Sequence, residues 1–381
     1  MKVESYLVRE RFRGYDPYDT LMSPVFRLPV LRSSKVVRFA AQQAGKRVPI
    51  NLRPLLRVPK GYNPVTLGLV VEASSYLAHV QPERAPLLRD RVHECVEELR
   101  KLSTPGYSGA CWGYDFDWEA RFARLPRGFP TIVATGIVSN ALFAAHRLLG
   151  IREAFELCES AVRFVLHDVS RVDYPDGGSC WGYFPGDRQL VLNATMKGAR
   201  LCAQVHAVTK DESCRDAAER TARFVASHQR PDGSWPYAVD DPRTWADNFH
   251  TAYLLDAFDE YERHTGDQQF SETKRRGWEY YRANFFTDDC VPTHLPRKRY
   301  PVDATSCAQS LLTLSRFGDL ATAEWVADWT VQNMQCADGR FAYQIRRWYR
   351  VTIPYIRWAS AYMFAGLSGL AYAFAKGRAE A

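Results

Sequence analysis

The stretch PDGSWPYAVDDPRTWADNFHTAYLLDAFDEYERHTGD, residues 231–267, decides the fold. It begins with an Asp-Gly turn and an aromatic pair, Trp235 and Tyr237, and continues through a polar loop. A helix is then predicted over residues 244–264, and Gly266 ends it. Because the same order of turn, aromatics, loop and helix recurs along the chain, the sequence predicts a repeated unit.

Two further copies are clear: GACWGY begins at residue 109 and GGSCWGY at residue 177. Two fainter copies cover residues 291–319 and 337–374. The helices that follow these loops are apolar or small nearly all round, as expected for an interior helix. Between them lie amphipathic helices, as expected for a surface position. These surface helices are predicted over residues 85–102, 152–168, 212–229, 268–285 and 320–335.

An N-terminal pair completes the set, with a surface helix at 33–46 and an interior helix at 65–80 that starts after Asn63-Pro64. Six interior and six surface helices predict an all-α fold, a closed (α/α)6 toroid. An open solenoid fits the same pattern, but it needs polar capping repeats, and the last helix here is strongly apolar. We therefore predict a toroid over residues 63–381, with residues 1–62 packing on it.

The direction of the chain through the ring predicts where a ligand would bind. Every aromatic-rich loop runs from the end of a surface helix to the start of an interior helix, so all these loops gather on one face. The N-termini of the interior helices point into the same opening, which we call the mouth. Because helix N-termini carry partial positive charge and free N–H groups, the mouth favours an anionic or hydroxyl-rich ligand.

Composition limits the classes of function. The chain has 381 residues, of which 46% are hydrophobic, and this suits one large domain. No signal peptide and no charge-free run of eighteen apolar residues is present, so we expect a cytoplasmic protein without stable membrane insertion. The net charge of +7 is modest and scattered. The aromatics stand beside carboxylates, which argues against nucleic-acid binding.

Nine cysteines raise the question of a metal site. They show no C-x-x-C spacing, but Cys111 and Cys180 each stand directly before Trp-Gly-Tyr in equivalent loops. These two are either ligands from different repeats or small residues that the turn requires. We predict no zinc and no other cofactor, and elemental analysis of protein purified without chelator tests this.

Two irregular N-terminal stretches, residues 12–26 and 46–64, either seal the ring or supply side chains to the mouth. Candidates for the mouth from these stretches are Tyr15, Asp16, Tyr18 and Arg53.

Several motifs together resemble a known group of proteins. They are YDPYD at 15–19 with NLRPLL at 51–56, CWGYDFDW at 111–118, DGSWPY and DNFHT within 232–251, and Y-x-RW-x-x-A at 355–361. They resemble toroidal proteins encoded with glycosyltransferases in bacterial exopolysaccharide clusters. The last third is similar to the helical domain of D-glucuronyl C5-epimerases, and more remotely to (α/α)6 glycosidases and polysaccharide lyases. The resemblance implies a glycan substrate rather than one reaction, because toroids also include terpene cyclases.

Aromatic faces flanked by carboxylates and guanidinium groups suit sugar rings, since C–H faces stack while hydroxyl and carboxylate groups take polar contacts. The alternative is that the WGY and WPY motifs only pack each loop onto its helix. The candidate substrate-binding residues are Trp112, Tyr114, Asp115, Asp117, Trp181, Tyr183, Trp235, Asp241, His294, Arg297, Tyr300, Tyr343 and Arg346.

Catalytic candidates follow from the interior helix of the opening stretch. Asp247 and His250 are three residues apart and share one helix face, where a carboxylate orients an imidazole. Asp303 and Arg357 occupy corresponding places in later repeats, and Tyr237 lies in the preceding loop. The alternative is a helix cap plus a core histidine. A solvent-lined site predicts that His250→Ala and Arg357→Ala leave the melting temperature almost unchanged.

Three reactions fit these residues. Epimerisation or β-elimination of a uronic acid needs a base, an acid and a cation, for which His, Tyr and Arg are suited. Glycoside hydrolysis needs two carboxylates, which paired Asp residues supply. Terpene cyclisation needs clustered acids, and only partial matches are present at 115–117 and 240–241. Proton abstraction from an acidic glycan is preferred, and non-catalytic binding of an oligo- or polysaccharide remains an alternative.

Overall fold

The computed structural model describes residues 1–121 and 123–380. These residues form fourteen α-helices: α1 (Lys2–Arg9), α2 (Pro29–Ser33), α3 (Lys35–Arg47), α4 (Pro64–Val80), α5 (Ala85–Leu102), α6 (Ile132–Leu149), α7 (Arg152–His167), α8 (Leu192–Thr209), α9 (Glu212–Ser227), α10 (Asn248–Thr265), α11 (Ser271–Asn284), α12 (Ala304–Arg316), α13 (Leu320–Met334) and α14 (Tyr362–Glu380). Short 3-10 helices lie at 19–22, 24–27 and 82–84, and a π-helix at 356–361 leads into α14.

Six helices form an inner ring: α4, α6, α8, α10, α12 and α14. Each packs against the next, and α14 packs back against α4, so the ring is closed. Helices α5, α7, α9, α11 and α13 lie outside it, each against its inner neighbour. The predicted closed (α/α)6 toroid is therefore confirmed.

Small residues let the inner helices approach closely. A Cβ atom on Gly366 in α14 would lie 2.6 Å from the carbonyl oxygen of Ala308 in α12. Between α6 and α8, a Cβ on Gly136 would lie 2.6 Å from the Cβ of Lys197. Helix α6 is long and apolar enough to cross a membrane by composition, but here it is an inner helix and most of it is buried. Its apolar character is explained by that position in the ring.

The N-terminal pair differs from the prediction. Helix α3, expected to be the sixth surface helix, does not pack beside α4; it lies over the loop that carries residues 117–119. The outer position next to α14 is taken instead by the short helix α1, which buries Val3, Tyr6 and Leu7. The buried partners of α3 are polar, and a hydrophobic pattern alone does not reveal such an attachment.

Nine two- or three-residue strands lie in the loops of the described residues. Strand β5 pairs with β6 and thereby joins two successive loops, and β7, β8 and β9 form a three-stranded sheet. The strands are β1 (Trp118–Glu119), β2 (Arg124–Leu125), β3 (Arg171–Asp173), β4 (Ser179–Trp181), β5 (Leu190–Val191), β6 (Ala238–Val239), β7 (Val302–Asp303), β8 (Gln344–Ile345) and β9 (Arg350–Val351).

Candidate functional site

A cavity of about 450 Å³ opens where the inner helices begin. All five aromatic-rich loops contribute to its wall, which confirms the prediction that they share one face. One lining residue from each loop is Tyr114, Tyr183, Tyr237, His294 and Tyr343. The β5–β6 pair joins the loops of Tyr183 and Tyr237, and the β7–β8 pair joins the loops of His294 and Tyr343, which holds these side chains around a common space.

Asp247 and His250 form the best-defined pair in this cavity. Asp247 is the N-cap of α10, which therefore starts four residues later than predicted. One carboxylate oxygen accepts a hydrogen bond from the backbone N–H of His250, at 3.1 Å. The other lies 2.6 Å from Nδ1 of the same imidazole. Capping and imidazole orientation, which the sequence offered as alternatives, are thus both performed by one carboxylate.

The pairing fixes how His250 can act. When Nδ1 carries the proton and donates a hydrogen bond to Asp247, Nε2 carries the lone pair. The side chain is 24% exposed and lines the cavity, and Nε2 has no hydrogen-bond partner among the described residues. Burial alone would raise the pKa of Asp247, but the charge and hydrogen bonds of His250 outweigh it and lower that pKa. Asp247 therefore stays ionised and stabilises a protonated imidazole.

Two further titratable side chains, Tyr237 and His294, lie near His250. The ring of Tyr237 meets the imidazole edge-on, with centroids 4.9 Å apart. Burial raises the pKa of Tyr237, so its hydroxyl keeps its proton at neutral pH. His294 lies on the other side of Phe249, whose ring centroid is 4.3 Å from that of His250 and 5.5 Å from that of His294. Nδ1 of His294 is buried without a partner.

Asp303 lines the cavity but is largely occupied. It is the N-cap of α12, with one oxygen accepting from the N–H groups of Thr305 and Ser306. Its second oxygen accepts a hydrogen bond from Gln344 Nε2 at 2.7 Å. A carboxylate with three donors and almost no exposed surface is suited to hold the loop and the helix start together.

Arg357 also lines the cavity, but it is not a solvent-lined group as expected. Its Nε donates to Asp16 at 2.7 Å, and both side chains are almost completely buried. The guanidinium carbon lies 4.8 Å from the ring centroid of Tyr114 and 4.7 Å from that of Trp358. Among the N-terminal candidates, Asp16 thus fixes Arg357, and Tyr18 lines the cavity directly.

The lining of the cavity has more positive than negative charge. Five cationic side chains reach it: Lys46, Arg47, Arg243, Arg346 and Arg357, of which Arg243 and Arg357 are paired with Asp241 and Asp16 behind the wall. Among the described residues, two carboxylates do so, Asp247 and Asp303. Nε of Arg346 is buried and has no partner, while a terminal nitrogen donates to Gln344 at 2.7 Å. The cavity is therefore electrostatically suited to an anionic ligand.

Three of the predicted sugar-stacking residues belong to the core instead. Trp112, Trp181 and Trp235 are buried and do not line the cavity. Nε1 of Trp112 donates to the carbonyl of Leu99 at 2.8 Å, and Nε1 of Trp235 donates to the carbonyl of Val225 at 3.0 Å. These two bonds anchor the loops of Trp112 and Trp235 to the preceding outer helices, and Trp181 is fully buried, so the packing alternative is correct for all three.

Trp235→Phe is expected to lower the free energy of unfolding by about 1–2 kcal/mol, since the variant loses a buried hydrogen bond but keeps most of the ring. Urea denaturation measures this, with Trp325→Phe on the exposed outer surface as the matched control. An unchanged free energy of unfolding, together with impaired ligand binding, would show that Trp235 is a binding residue and not a packing residue.

Five other predicted binding residues lie outside the cavity. Asp115 accepts a hydrogen bond from Asn63 Nδ2 and lines a separate cavity beside the N-terminal segment. Burial, followed by repulsion from Asp16, raises the pKa of Asp115 to about 6. Asp117 accepts from the backbone N–H of Arg127, and Asp241 pairs with Arg243. Arg297 and Tyr300 are exposed and outside the lining.

The sequence interpretation missed several lining side chains. The tryptophans in the wall are Trp118, Trp245 and Trp358, rather than the three that follow the turns. Trp118 and Trp358 belong to quoted motifs, so their presence near the mouth could have been inferred. The remaining missed residues include Gln43, Phe116, Asn193, Phe249, Tyr253, Gln344 and Tyr362.

The cysteines of the two Trp-Gly-Tyr loops are buried. Burial raises the pKa of both Cys111 and Cys180 to about 12, which disfavours the thiolate that zinc binds. Across residues 1–121 and 123–380, no group of three or more His, Cys, Asp and Glu side chains is arranged to hold a metal ion. The absence of zinc stays a prediction for elemental analysis.

No protein-family model matches the sequence, and no curated protein matches it significantly. Solved structures with the same fold are numerous. Cellobiose 2-epimerase from Bacillus thermoamylovorans superposes with a TM-score of 0.63 at 11% identity, over 83% of this chain and 88% of that one. A GH76 α-mannanase from Bacteroides thetaiotaomicron gives 0.60 at 13% identity, over 84% and 88%.

An unsaturated glucuronyl hydrolase specific for heparin gives a TM-score of 0.59 at 13% identity, over 82% of this chain and 86% of that one. At such identities the likeness shows the fold alone, which is the toroid predicted from the repeats.

Proposed function

We propose that this chain is a carbohydrate-active enzyme that removes a proton from a carbon of an acidic sugar, leading to epimerisation or β-elimination. The observation that carries the proposal is the geometry of His250, whose Nδ1 is held by Asp247 at 2.6 Å while its other nitrogen remains available in the cavity. Support for a sugar substrate comes from the aromatic wall and from the epimerases and glycan hydrolases that share the fold.

The chemistry follows from these groups. Nε2 of His250 accepts the proton next to the sugar carboxyl group, and the electron pair moves onto the carboxyl oxygen. Asp247 stabilises the imidazolium, and a cation stabilises the developing oxyanion. Return of a proton to the opposite face gives the epimer, with Tyr237 or His294 as donor. Loss of the substituent on the neighbouring carbon gives an unsaturated product instead.

An acidic substrate is favoured by the charge of the wall. Arg346 and Arg357 are the cations that can meet a carboxylate inside the cavity, and the helix N-termini add partial positive charge. A role in polysaccharide assembly or modification is supported by the resemblance of the sequence motifs to exopolysaccharide-cluster proteins.

Glycoside hydrolysis is the second candidate, because Asp247 and Asp303 both reach the cavity and two of the three structures named above are hydrolases. Each of these carboxylates caps a helix and accepts further hydrogen bonds from His250 or Gln344. A general acid must carry a proton and an attacking base must reach water, and these contacts oppose both roles. Proton abstraction by His250 is therefore preferred.

Arg346→Gln is expected to weaken binding of acidic oligosaccharides by about tenfold or more, because a hydrogen bond to a charged group is worth about 1.5–3 kcal/mol. Binding of neutral oligosaccharides should change little. Isothermal titration with a uronic-acid disaccharide and a neutral disaccharide measures both. Arg347→Gln is the matched control, since Arg347 lies on the same hairpin but is exposed and outside the cavity. Equal losses for both sugars would contradict recognition of the carboxylate.

A further inference from the structure

Helix α3 is attached to the body through polar side chains and presents apolar ones to solvent. Arg38 and Gln42 are its buried residues, and Arg38 Nε donates to Glu119 at 2.8 Å. On the outer side, Val36 is 77% exposed and Phe39 is also exposed. An ordinary surface helix of a globular protein has the opposite arrangement. The outward apolar side therefore lacks its partner within the chain.

Exposed apolar side chains are concentrated in this part of the chain. Of the nineteen large hydrophobic residues that are exposed in the described part of the chain, nine lie between residues 25 and 55. The hydroxyl of Ser23 donates to the carbonyl of Leu56 at 2.6 Å, which holds the two ends of this segment together. We call these residues the N-terminal apolar surface: Val25, Leu28, Val30, Val36, Val37, Phe39, Ile50, Leu52 and Leu55.

The charge of the segment is one-sided. Between residues 20 and 71 the sequence contains no Asp or Glu. Five exposed basic residues accompany the apolar surface, and none forms an ion pair with a described residue: Arg27, Arg32, Lys35, Arg47 and Arg57. Exposed apolar side chains among basic ones are typical of segments that lie in the headgroup region of anionic membranes.

We propose that the N-terminal apolar surface binds a membrane containing anionic lipids, lying in the headgroup region without spanning the bilayer. The apolar side chains enter the upper acyl region, and the basic side chains meet the lipid phosphates. Lys46 and Arg47, at the end of α3, also line the cavity at the mouth. The mouth therefore opens beside the bilayer, where a membrane-attached glycan would reach it.

Vesicle co-sedimentation tests the proposal with the full chain. Binding to vesicles of phosphatidylcholine with phosphatidylglycerol is expected, with much weaker binding to pure phosphatidylcholine and a decrease at high salt. The double variant Val36→Gln/Leu55→Gln should bind the anionic vesicles at least about tenfold more weakly than the wild type. Both side chains are more than three-quarters exposed, so the fold should be retained. Leu87→Gln, an exposed position on α5, is the matched control.

Three outcomes would overturn it. They are absence of binding to anionic vesicles, equal binding to neutral vesicles, and unchanged binding by the double variant. If that variant instead changes the sedimentation coefficient of the protein alone, the surface is an interface between copies of the chain. None of these results depends on whether the mouth binds a sugar.

A second proposal comes from the opposite end of the ring and rests on different residues. A separate cavity of about 250 Å³ opens where the inner helices end. Ile137, Tyr253 and Tyr362 line both this cavity and the cavity at the mouth. The hydroxyl of Tyr253 donates to that of Tyr362 at 2.8 Å, so these two rings form a floor between the cavities.

The carboxylates of this second cavity are all partnered. Glu72, Asp256 and Glu260 each accept hydrogen bonds from neighbouring side chains. Arg316 pairs with both Asp256 and Glu260. Arg316 therefore supplies the positive charge beside Asp256 and Glu260, while Glu72 accepts hydrogen bonds from the neutral side chains of Tyr76 and Asn140.

Two cations of the same cavity differ. Lys197 and Arg200 form no ion pair and no hydrogen bond at contact distance with a described residue, although the charge of Arg200 acts on Glu72, Asp256 and Glu260 from farther away. Burial lowers the pKa of Lys197 to about 7, so a bound anion would favour its protonated form. Lys197 is 6% exposed, and its Nζ lies 3.4 Å from the ring centroid of Tyr253. Nε of Arg200 is buried without a hydrogen-bond partner. Both lie in the first half of α8, so the negative end of the helix does not explain them.

We infer that this second cavity binds a small oxyanion, a phosphate or carboxylate group, through Lys197 and Arg200. The volume suits an ion or a single small metabolite rather than an oligosaccharide. The buried Oε1 of Gln204, which also lacks a partner, is placed to accept a hydrogen bond from a hydroxyl group of the ligand.

Isothermal titration of the full chain with inorganic phosphate, and separately with glucuronate, tests this and distinguishes the two sources of the anion. Arg200→Gln and Lys197→Gln should each weaken binding by about tenfold or more. Arg263→Gln, at the rim and paired with Asp259, should bind as the wild type does. Arg346→Gln changes the mouth and not the second cavity, so unchanged binding of the anion by this variant excludes the mouth as the binding site.

A second readout does not depend on the folding of these variants. Bound phosphate should protect Lys197 of the wild-type chain from acetylation, as measured by mass spectrometry. Binding without protection of Lys197, or equal affinity in both α8 variants, would place the anion elsewhere and overturn the inference. Absence of any binding would overturn it as well.

Discussion

Replacing His250 by Gln is expected to lower kcat by about 10²- to 10⁴-fold, which is the range for loss of a general base. The melting temperature should change by no more than a few degrees, because the imidazole is partly exposed in a cavity and contributes little to packing. Gln keeps a donor near Asp247 but has no nitrogen lone pair that can accept a proton at neutral pH.

Steady-state kinetics and differential scanning calorimetry measure the two effects together. His79→Gln is a suitable control, since His79 is exposed near the far end of α4. A fall in melting temperature of ten degrees or more with kcat preserved in the folded fraction would show that His250 is a structural residue.

Arg357→Ala is expected to lower the free energy of unfolding by about 3–5 kcal/mol, because it leaves the Asp16 carboxylate buried without its partner. This corrects the expectation from sequence that the variant would keep its melting temperature. Asp16→Asn in the same chain should restore part of the loss, since the buried charge is then removed. Urea denaturation of the two single variants and the double variant measures the coupling.

Arg347→Ala, at an exposed position of the neighbouring hairpin, should change the free energy by less than about 0.5 kcal/mol. If Arg357→Ala proves equally mild, the buried pair does not hold the N-terminal segment to the ring. Arg357 would then be available mainly for ligand contact.

The ring could be predicted because its signals are local. Turn glycines, helix caps such as Asn63, and apolar inner helices each depend on a few neighbouring residues. Their regular recurrence gave the number of hairpins. The pairing of Asp247 with His250 was also predictable, since residues three apart on a helix share a face.

The rest depends on contacts between distant parts of the chain. Trp235 and Tyr237 stand two residues apart in one loop, yet the first is core and the second lines the cavity. Asp115 and Arg357 find their partners, Asn63 and Asp16, in distant parts of the chain, and Asp16 belongs to the N-terminal segment, whose path has no repeat to follow. Local patterns cannot show such long-range partners.

The same limit explains the wrong assignment of helix α3. Its apolar residues suggested a surface helix packed on the ring, but they face outward, and Arg38 and Gln42 make the attachment. A hydrophobic pattern indicates which residues share a face but not whether that face meets the protein.

Solvent isotope exchange tests the central claim most directly. A uronic-acid oligosaccharide is incubated with the chain in deuterium oxide, and the sugar is analysed by mass spectrometry and NMR. We predict that deuterium enters at the carbon beside the carboxyl group, or that an unsaturated product absorbs in the ultraviolet, and that His250→Gln abolishes either signal. New reducing ends with neither carbon-bound deuterium nor an unsaturated product, or no change in any acidic sugar, would contradict proton abstraction by His250.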